Sequence, residues 1–488
     1  MNSPGIPNEK DSVLQRAALT LNEFPMDTLI HIQSFMGPID IIALRQCSKL
    51  MTSATTHRTV WLDALRRVCA AHEVSVLTYP MENMSLRDLE HAATSPARFI
   101  AQISKEWAEG DVIPVFHTRL FQPRLPKSAP GNLGETALMR LVPGGRYLVT
   151  ATDLARISVW DLGWRPAEIL NPYPLVSIVL PSPASQLLVQ PAKDQRGFRL
   201  LSVCPLLTSN VADVTVYEIN PSEVNPVLKQ IAHRRIFSPH IEAFALTPDR
   251  FTYYYNFLLT AWDFIEDTSA TVHVYQPLMS ITVSRTTVIG QQEGGIVVIE
   301  MPPLQMRGTP AVEVVTELVT PLPTFSHIHD VFSDFTGLYT IQADWHISPD
   351  VPLVLDVFGR LVDGGYAYAR CVVKQVPGGD PDLPSVLPVL MGVSRVPPET
   401  FDAEYYGRLH FAGTHLVRTW PVETSVMINA ARVPTRRQIE LESKTAYLWE
   451  MPRDAEAFLY DLDSMSGRFV ALAGPGTLRV LDYMLPHL

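Results

Sequence analysis

Apolar residues recur at two different periods along the 488 residues of this chain. Up to about residue 110 the period is helical. In the stretch 24–61, FPMDTLIHIQSFMGPIDIIALRQCSKLMTSATTHRTVW, residues Leu29, Ile32 and Met36 stand at i, i+3 and i+7 with Phe35 flanking, which predicts a helix with one apolar stripe. Pro25 and Asp27 suit a helix start, because proline loses nothing in a first turn and a carboxylate there meets the positive end of the dipole. Gly37-Pro38 predicts the end of that helix, Asp40 a cap for the next, and Ile41, Ile42, Leu44 and Cys47 a second apolar run. Leu62, Leu65, Val68 and Cys69 continue the helical spacing. Ser85-Leu86-Arg87-Asp88 reads as a capping box, and Ser95-Pro96 as an N-cap followed by a first-turn proline, with the last helix ending near Gly110. Residues 1–20 carry no such pattern until a short helix at Val13 to Leu21.

From Asp111 the texture changes. Short runs rich in Val, Ile, Leu, Tyr and Thr alternate with Pro, Gly, Asp and Asn turns, and many of the 41 prolines fall between the runs. The clearest unit is Gly145-Arg146-Tyr147-Leu148-Val149-Thr150 followed by Ile157-Ser158-Val159-Trp160-Asp161. A weaker copy, Gly467-Arg468-Phe469-Val470-Ala471-Leu472 followed by Leu478-Arg479-Val480-Leu481-Asp482, closes the chain. Degenerate copies end at Thr215–Tyr217, Val272–Tyr275, Ile296–Ile299, Cys371–Val373 and Leu416–Trp420. The recurring strands with an occasional Trp-Asp resemble a WD-repeat β-propeller, of about seven blades at ~40 to 50 residues each. The final copy ends too soon for an outer fourth strand, whereas Val112 to Phe121 is a strand without a blade. The expectation is that this segment pairs with the last blade and clasps the ring, which places Val115 near Leu481.

Residues Phe24-Pro25, Asp27, Leu29, Ile32, Met36, Asp40, Ile41, Leu44, Lys49 and Trp61 resemble an F-box, the helical module that docks onto the Skp adaptor of SCF ubiquitin ligases. The spacing from Pro25 to Trp61 fits without a gap. Phe24 stands where the family has Leu, and Met51 where it has a third-helix Trp. The resemblance implies Phe24, Pro25, Leu29, Ile32, Met36, Ile41 and Leu44 as the residues that dock the Skp adaptor and, through it, a cullin. The fold expected is multidomain, α followed by all-β: a flexible N-terminus over 1–20, an F-box over 21–65, a helical linker over 66–110 and a propeller over 111–488.

Composition narrows the function classes. A net charge of −11 excludes a generic nucleic-acid binder, which needs a basic face, and an 18% charged, 47% hydrophobic composition is that of a folded chain. Cys47, Cys69, Cys204 and Cys371 lack metal-ligand spacing and read as small buried hydrophobes of a reducing compartment. No apolar stretch approaches a membrane span and no signal peptide precedes the helices, so an intracellular, cytoplasmic or nuclear, protein is expected.

Catalytic signatures are scarce: Walker, GxGxxG, HExxH and GxSxG patterns do not occur where their chemistry needs them. His327-Ile328-His329-Asp330 is the best metal-like cluster, yet it lacks a third ligand and reads more simply as a polar strand end. Asp461-Leu462-Asp463 puts two carboxylates on one strand face, expected to be turn-facing and solvated. Gly294-Gly295 and Gly378-Gly379 read as turn glycines, and Trp160-Asp161 as scaffold. The chain is therefore expected to be a non-enzymatic adaptor without cofactor or metal, whose propeller holds a protein target for ubiquitination. A Skp-bound scaffold that ubiquitinates nothing, and a propeller enzyme carrying an F-box, are the alternatives.

Overall fold

The protein is described from a computed structural model. It describes residues 21 to 485, leaving out 106–110, 307–334, 342–353, 376–385, 397–407, 433–442, 451–458 and one to three residues at several turns. Five helices come first: α1 (Met26–Gln33), α2 (Pro38–Arg45), α3 (Lys49–Thr55), α4 (Arg58–Ala71) and α5 (Leu86–Ile103).

Strands follow in seven antiparallel sheets, the blades of a β-propeller. Blade 1 is built from Thr136–Leu141, Tyr147–Thr152, Arg156–Asp161 and Val176–Val179, in that order outward. Blade 2 uses Gln186–Pro191, Phe198–Pro205, Ala212–Ile219 and Lys229–Ile236 in the same way. Blade 3 uses Ala243–Leu246, Arg250–Tyr255, Leu258–Asp263 and Thr268–His273, with Gln305–Met306 added outside. Blade 4 has three described strands between Ser280 and Glu300. Blades 5 and 6 run from Phe335 to Val396 and from Arg408 to Glu450. The first strands of blades 7, 1, 2, 3, 4 and 5 lie side by side in that order. Blade cores interlock: Tyr147 and Val149 of blade 1 share a cluster with Phe198 and Leu200 of blade 2.

Blade 7 closes the ring as expected. Its strands Tyr460–Asp463, Arg468–Gly474 and Thr477–Asp482 are completed by His117–Phe121, with Thr118 opposite Leu481 and Phe121 opposite Leu478. Val115 packs on the cluster that contains Leu481 and Tyr483, and Ile113 donates its N–H to Tyr447 O at 2.8 Å, so the clasp also touches blade 6.

The two clearest repeats superpose in chemistry as well as in pattern. Gly145 and Gly467 both take a left-handed backbone, at φ +70° and +65°, where only glycine is unstrained. The arginine after each glycine pairs with the aspartate that ends the third strand: Arg146 with Asp161 at 2.9 Å and Arg468 with Asp482 at 2.6 Å. Trp160 is scaffold, its Nε1 donating to Thr150 Oγ1 at 2.9 Å and its ring meeting Phe121 edge-on at 5.2 Å. Three of the degenerate copies end on the third strand of their blades. Val272–Tyr275 instead belongs to an outer strand and Leu416–Trp420 to a second strand. In blade 3 the counterpart of Trp160-Asp161 is Trp262-Asp263.

Several local expectations change. Gly37-Pro38 opens α2 rather than closing α1: Gly37 is the N-cap, Pro38 the first helical residue, and Asp40 lies within the first turn. Pro96 sits inside α5, and Ser95 Oγ donates to His91 O at 2.7 Å instead of capping a new helix. Burial of Ala92, Ala93, Phe99 and Ile100 carries the helix through the proline, and it ends at Ile103. The Ser85–Asp88 capping box forms in both directions. No helix among the described residues is long and apolar enough to cross a membrane.

Cys69, Cys204 and Cys371 are buried, whereas Cys47 is exposed, contrary to the expectation for all four. Burial pushes the Cys69 thiol up to about 12 and that of Cys204 up to about 11. The reactive thiolate is thus denied to them at neutral pH. Titration of the native protein with a disulfide reagent at mild alkaline pH should count a single fast thiol, lost in Cys47→Ser, with the others released by denaturant. Two or more fast thiols in the native protein would contradict this burial.

Candidate partner-binding site

The helical block is stitched to the ring at one end. Ile41, Val60, Trp61, Leu65, Leu89 and Ala92 form a core that Met465 of blade 7 joins. Phe99, Ile100 and Ile103 of α5 pack into the apolar cluster of blades 6 and 7. Thr78 Oγ1 donates to Pro143 O at 3.1 Å, and Arg165 pairs with Asp88 at 2.9 Å. Burial alone would raise the Asp88 carboxyl; hydrogen bonds from Arg165 and Ser85 hold it below the usual range. The block therefore has one face committed to the propeller and another left over.

The uncommitted face is built by α1 to α3. Ser48 caps α3 by accepting the Met51 N–H at 3.2 Å, which sets Met51 and Ala54 against Leu29. Arg67 of α4 reaches the C-terminal end of α1, with Nη2 on Gln33 O at 3.3 Å and Nη1 on Met36 O, in the α1–α2 connection, at 2.8 Å. A cation at that end meets the negative pole of the helix. Arg45 of α2 holds Glu90 of α5 with two bonds of 2.9 Å and lies over the Trp61 ring at 5.7 Å. The three short helices are thus fixed in place by α4 and α5.

Of the seven residues the F-box resemblance singles out, Leu29 and Ile41 are interior, at 2% and 0% exposure. They build the chain's own core and present nothing to a partner, because alternating turns of such short helices must fill the block first. Phe24, Ile32, Met36 and Leu44 are half-buried and Pro25 is exposed. Two residues outside that set stand out: Phe35 at 78% exposure and Ile39 at 45%. Both lie at the α1–α2 junction, and the His31 ring meets Phe35 edge-on at 5.2 Å. The sequence carries the signal for Phe35 in its place flanking the stripe, next to Met36.

The carboxylate pair Asp461 and Asp463 is buried, not solvated. Asp461 accepts the Leu141 N–H at 2.7 Å and Asp463 the Gly144 N–H at 2.9 Å, so both staple blade 7 to blade 1. A small cleft lies between α5 and these blades, lined by Tyr79, Asp88, His91, Trp164, Arg165, Arg468 and Asp482. Its charged groups are spent on one another: Asp88 on Arg165, Asp482 on Arg468. Residues 327–330 and Gly378-Gly379 lie outside the described residues. Among the described residues no three His, Cys, Asp or Glu side chains are grouped to hold a metal ion.

No protein-family model matches the chain, and no curated protein matches it. Solved structures do. The β-propeller domain of Cps50 (Swd1) from Myceliophteria thermophila is similar at 10% identity and a TM-score of 0.42, over 73% of this chain and 98% of that one. U3-55K is similar at 10% identity and a TM-score of 0.37, over 75% of this chain and 98% of its own.

Proposed function

We propose that this chain is the substrate-recognition adaptor of an SCF-type ubiquitin ligase. Helices α1 to α3 dock the Skp adaptor, through which a cullin is recruited, and the propeller holds a protein target. The ubiquitin chemistry belongs to the partners, so the chain needs no nucleophile, metal or cofactor, and it works inside the cell where they are found. One observation supports this above the others. Phe35, 78% exposed, and Ile39 stand beside half-buried Ile32 and Met36 on the face of the helical block that the propeller leaves uncovered. Large apolar side chains so placed are the usual anchors of a protein interface.

The test is capture of the Skp adaptor and a cullin by the full-length protein and by Phe35→Asp/Ile39→Asp. Both positions are on the surface, so the variant should fold, which its melting profile checks. Capture should weaken by about ten-fold or more, since two such anchors carry most of a small interface. Equal capture by both proteins, or none by either, would sink the reading.

A further inference from the structure

Blade 3 carries an exposed aromatic ladder at the end of the ring opposite the helices. The helices meet the turns between first and second strands, at Pro143 and Met465. Phe257 lies in the turn between the second and third strands of blade 3, and Tyr275 just beyond its fourth strand, at the other end. The Phe257 and His273 rings stack at 6.2 Å with 15° between their planes, and His273 meets Tyr275 edge-on at 5.2 Å. All three are exposed, Tyr275 at 70%. Phe237 and Met279, also exposed, stand in the loops that enter and leave the blade at this end.

Backbone conformation gives a second, independent observation. Asn256 and Phe257 form a two-residue hairpin turn with φ +46° and +66°. Such turns favour Asn-Gly, because the second position is strained for any residue with a Cβ. Glycine would serve the fold better than phenylalanine here. A bulky ring kept at a strained, solvent-facing position is what a binding residue looks like and a packing residue does not.

Charge indicates the occupant. Glu242, exposed, accepts the Asn256 N–H through Oε1 at 3.2 Å, which fixes a carboxylate beside the turn that carries Phe257. Aromatic faces with an adjacent carboxylate attract a cation that is flat or compact enough to lie on them. We infer that the Phe257–His273–Tyr275 ladder is a docking site for a target segment presenting an arginine or lysine side chain, its cation over the rings and toward Glu242. This deepens the proposed function, resting on the propeller as the target-holding part.

The experiment screens the full-length protein against a positional-scanning library of short extended peptides, with wild type, Phe257→Gly and Tyr275→Ala compared. Wild type should select Arg or Lys at one position, and both variants should lose about ten-fold or more of that signal. Phe257→Gly creates the preferred Asn-Gly turn, so its Tm should stay within about 3 °C of wild type. A library that selects no basic residue, or undiminished selection in Phe257→Gly, overturns the site. Capture of the Skp adaptor, measured in parallel, should be unchanged in both variants. Failure of wild type to capture the adaptor counts against the docking reading alone, since the ladder lies at the opposite end of the ring.

Discussion

Asp482→Ala is expected to destabilise the protein by about 3 to 5 kcal/mol, the cost of leaving buried charge without its partner. Asp482 is 3% exposed and carries two cations: Arg468 Nε on Oδ1 at 2.6 Å and Arg119 Nη2 on Oδ2 at 2.9 Å. Both guanidinia are themselves buried. The surplus positive charge is spread over four backbone carbonyls, Leu162 and Glu168 for Arg119, and Gly145 and Gly163 for Arg468. Burial and the charge of Arg468 pull Arg119 down to about 10, so it stays protonated at neutral pH. With the carboxylate gone, two desolvated cations face each other. For a ring of this size the Tm should fall by roughly 4 to 6 °C.

Asp161→Ala serves as the internal control. Asp161 holds the same repeat position and the same arginine contact, at 2.9 Å, but with 27% of its side chain exposed. Water can replace much of what is lost there, and about 1 kcal/mol is expected. Arg119→Leu combined with Asp482→Ala should recover part of the loss, which a double-mutant cycle reads directly. Equal losses at Asp161 and Asp482 in urea titrations would mean that burial of the triad is not what makes it count.

The repeat chemistry explains how much of the fold was legible in advance. Gly145-Arg146 to Trp160-Asp161 and Gly467-Arg468 to Leu481-Asp482 were readable because each keeps glycine, arginine and aspartate at fixed offsets. Blade 3 begins the same unit with Asp249-Arg250-Phe251, without the glycine, so the apolar run at Val272–Tyr275 stood in for Trp262-Asp263. The approximate number of blades followed from dividing length by repeat period, and the clasp from one strand left over where one was missing, which are questions of length and period rather than of side chains. Long-range side-chain contacts were not readable. Asp461 looks like a solvated turn residue until Leu141, 320 positions away, is placed on it. Ser95-Pro96 has the local chemistry of a helix start, and the burial of α5 overrides it. At the candidate site the apolar stripe was found, but not which of its members the block would keep. Leu29 and Ile41 turn inward because α3, α4 and α5 cover them, and that leaves Phe35 and Ile39 as the outward residues.

Replacing His117–Phe121 by five Gly/Ser residues is expected to have the largest effect of all on the propeller. The substitution removes five register pairs with Thr477–Asp482 and withdraws Phe121, 2% exposed, from the Trp160 ring. Loss of a buried phenylalanine alone costs about 3 to 5 kcal/mol. Arg119 leaves as well, but Asp482 keeps Arg468, so the charge cost is smaller than in Asp482→Ala. The larger consequence is topological. Thr477–Asp482 becomes an open strand edge, and the junction of blades 7 and 1 is left to the Asp461 and Asp463 staples and the apolar cluster they share. Exposed edges template further strands, so the variant should melt at least about 6 °C lower and aggregate in proportion to its concentration. A synthetic peptide spanning residues 112–123, added in excess, should restore both Tm and solubility by supplying the missing strand. Such rescue separates loss of the clasp from damage to the helices, which remain covalently attached in the variant. If the variant melts with wild type and stays monomeric, blade 7 is stable with three strands and the clasp does not hold the ring.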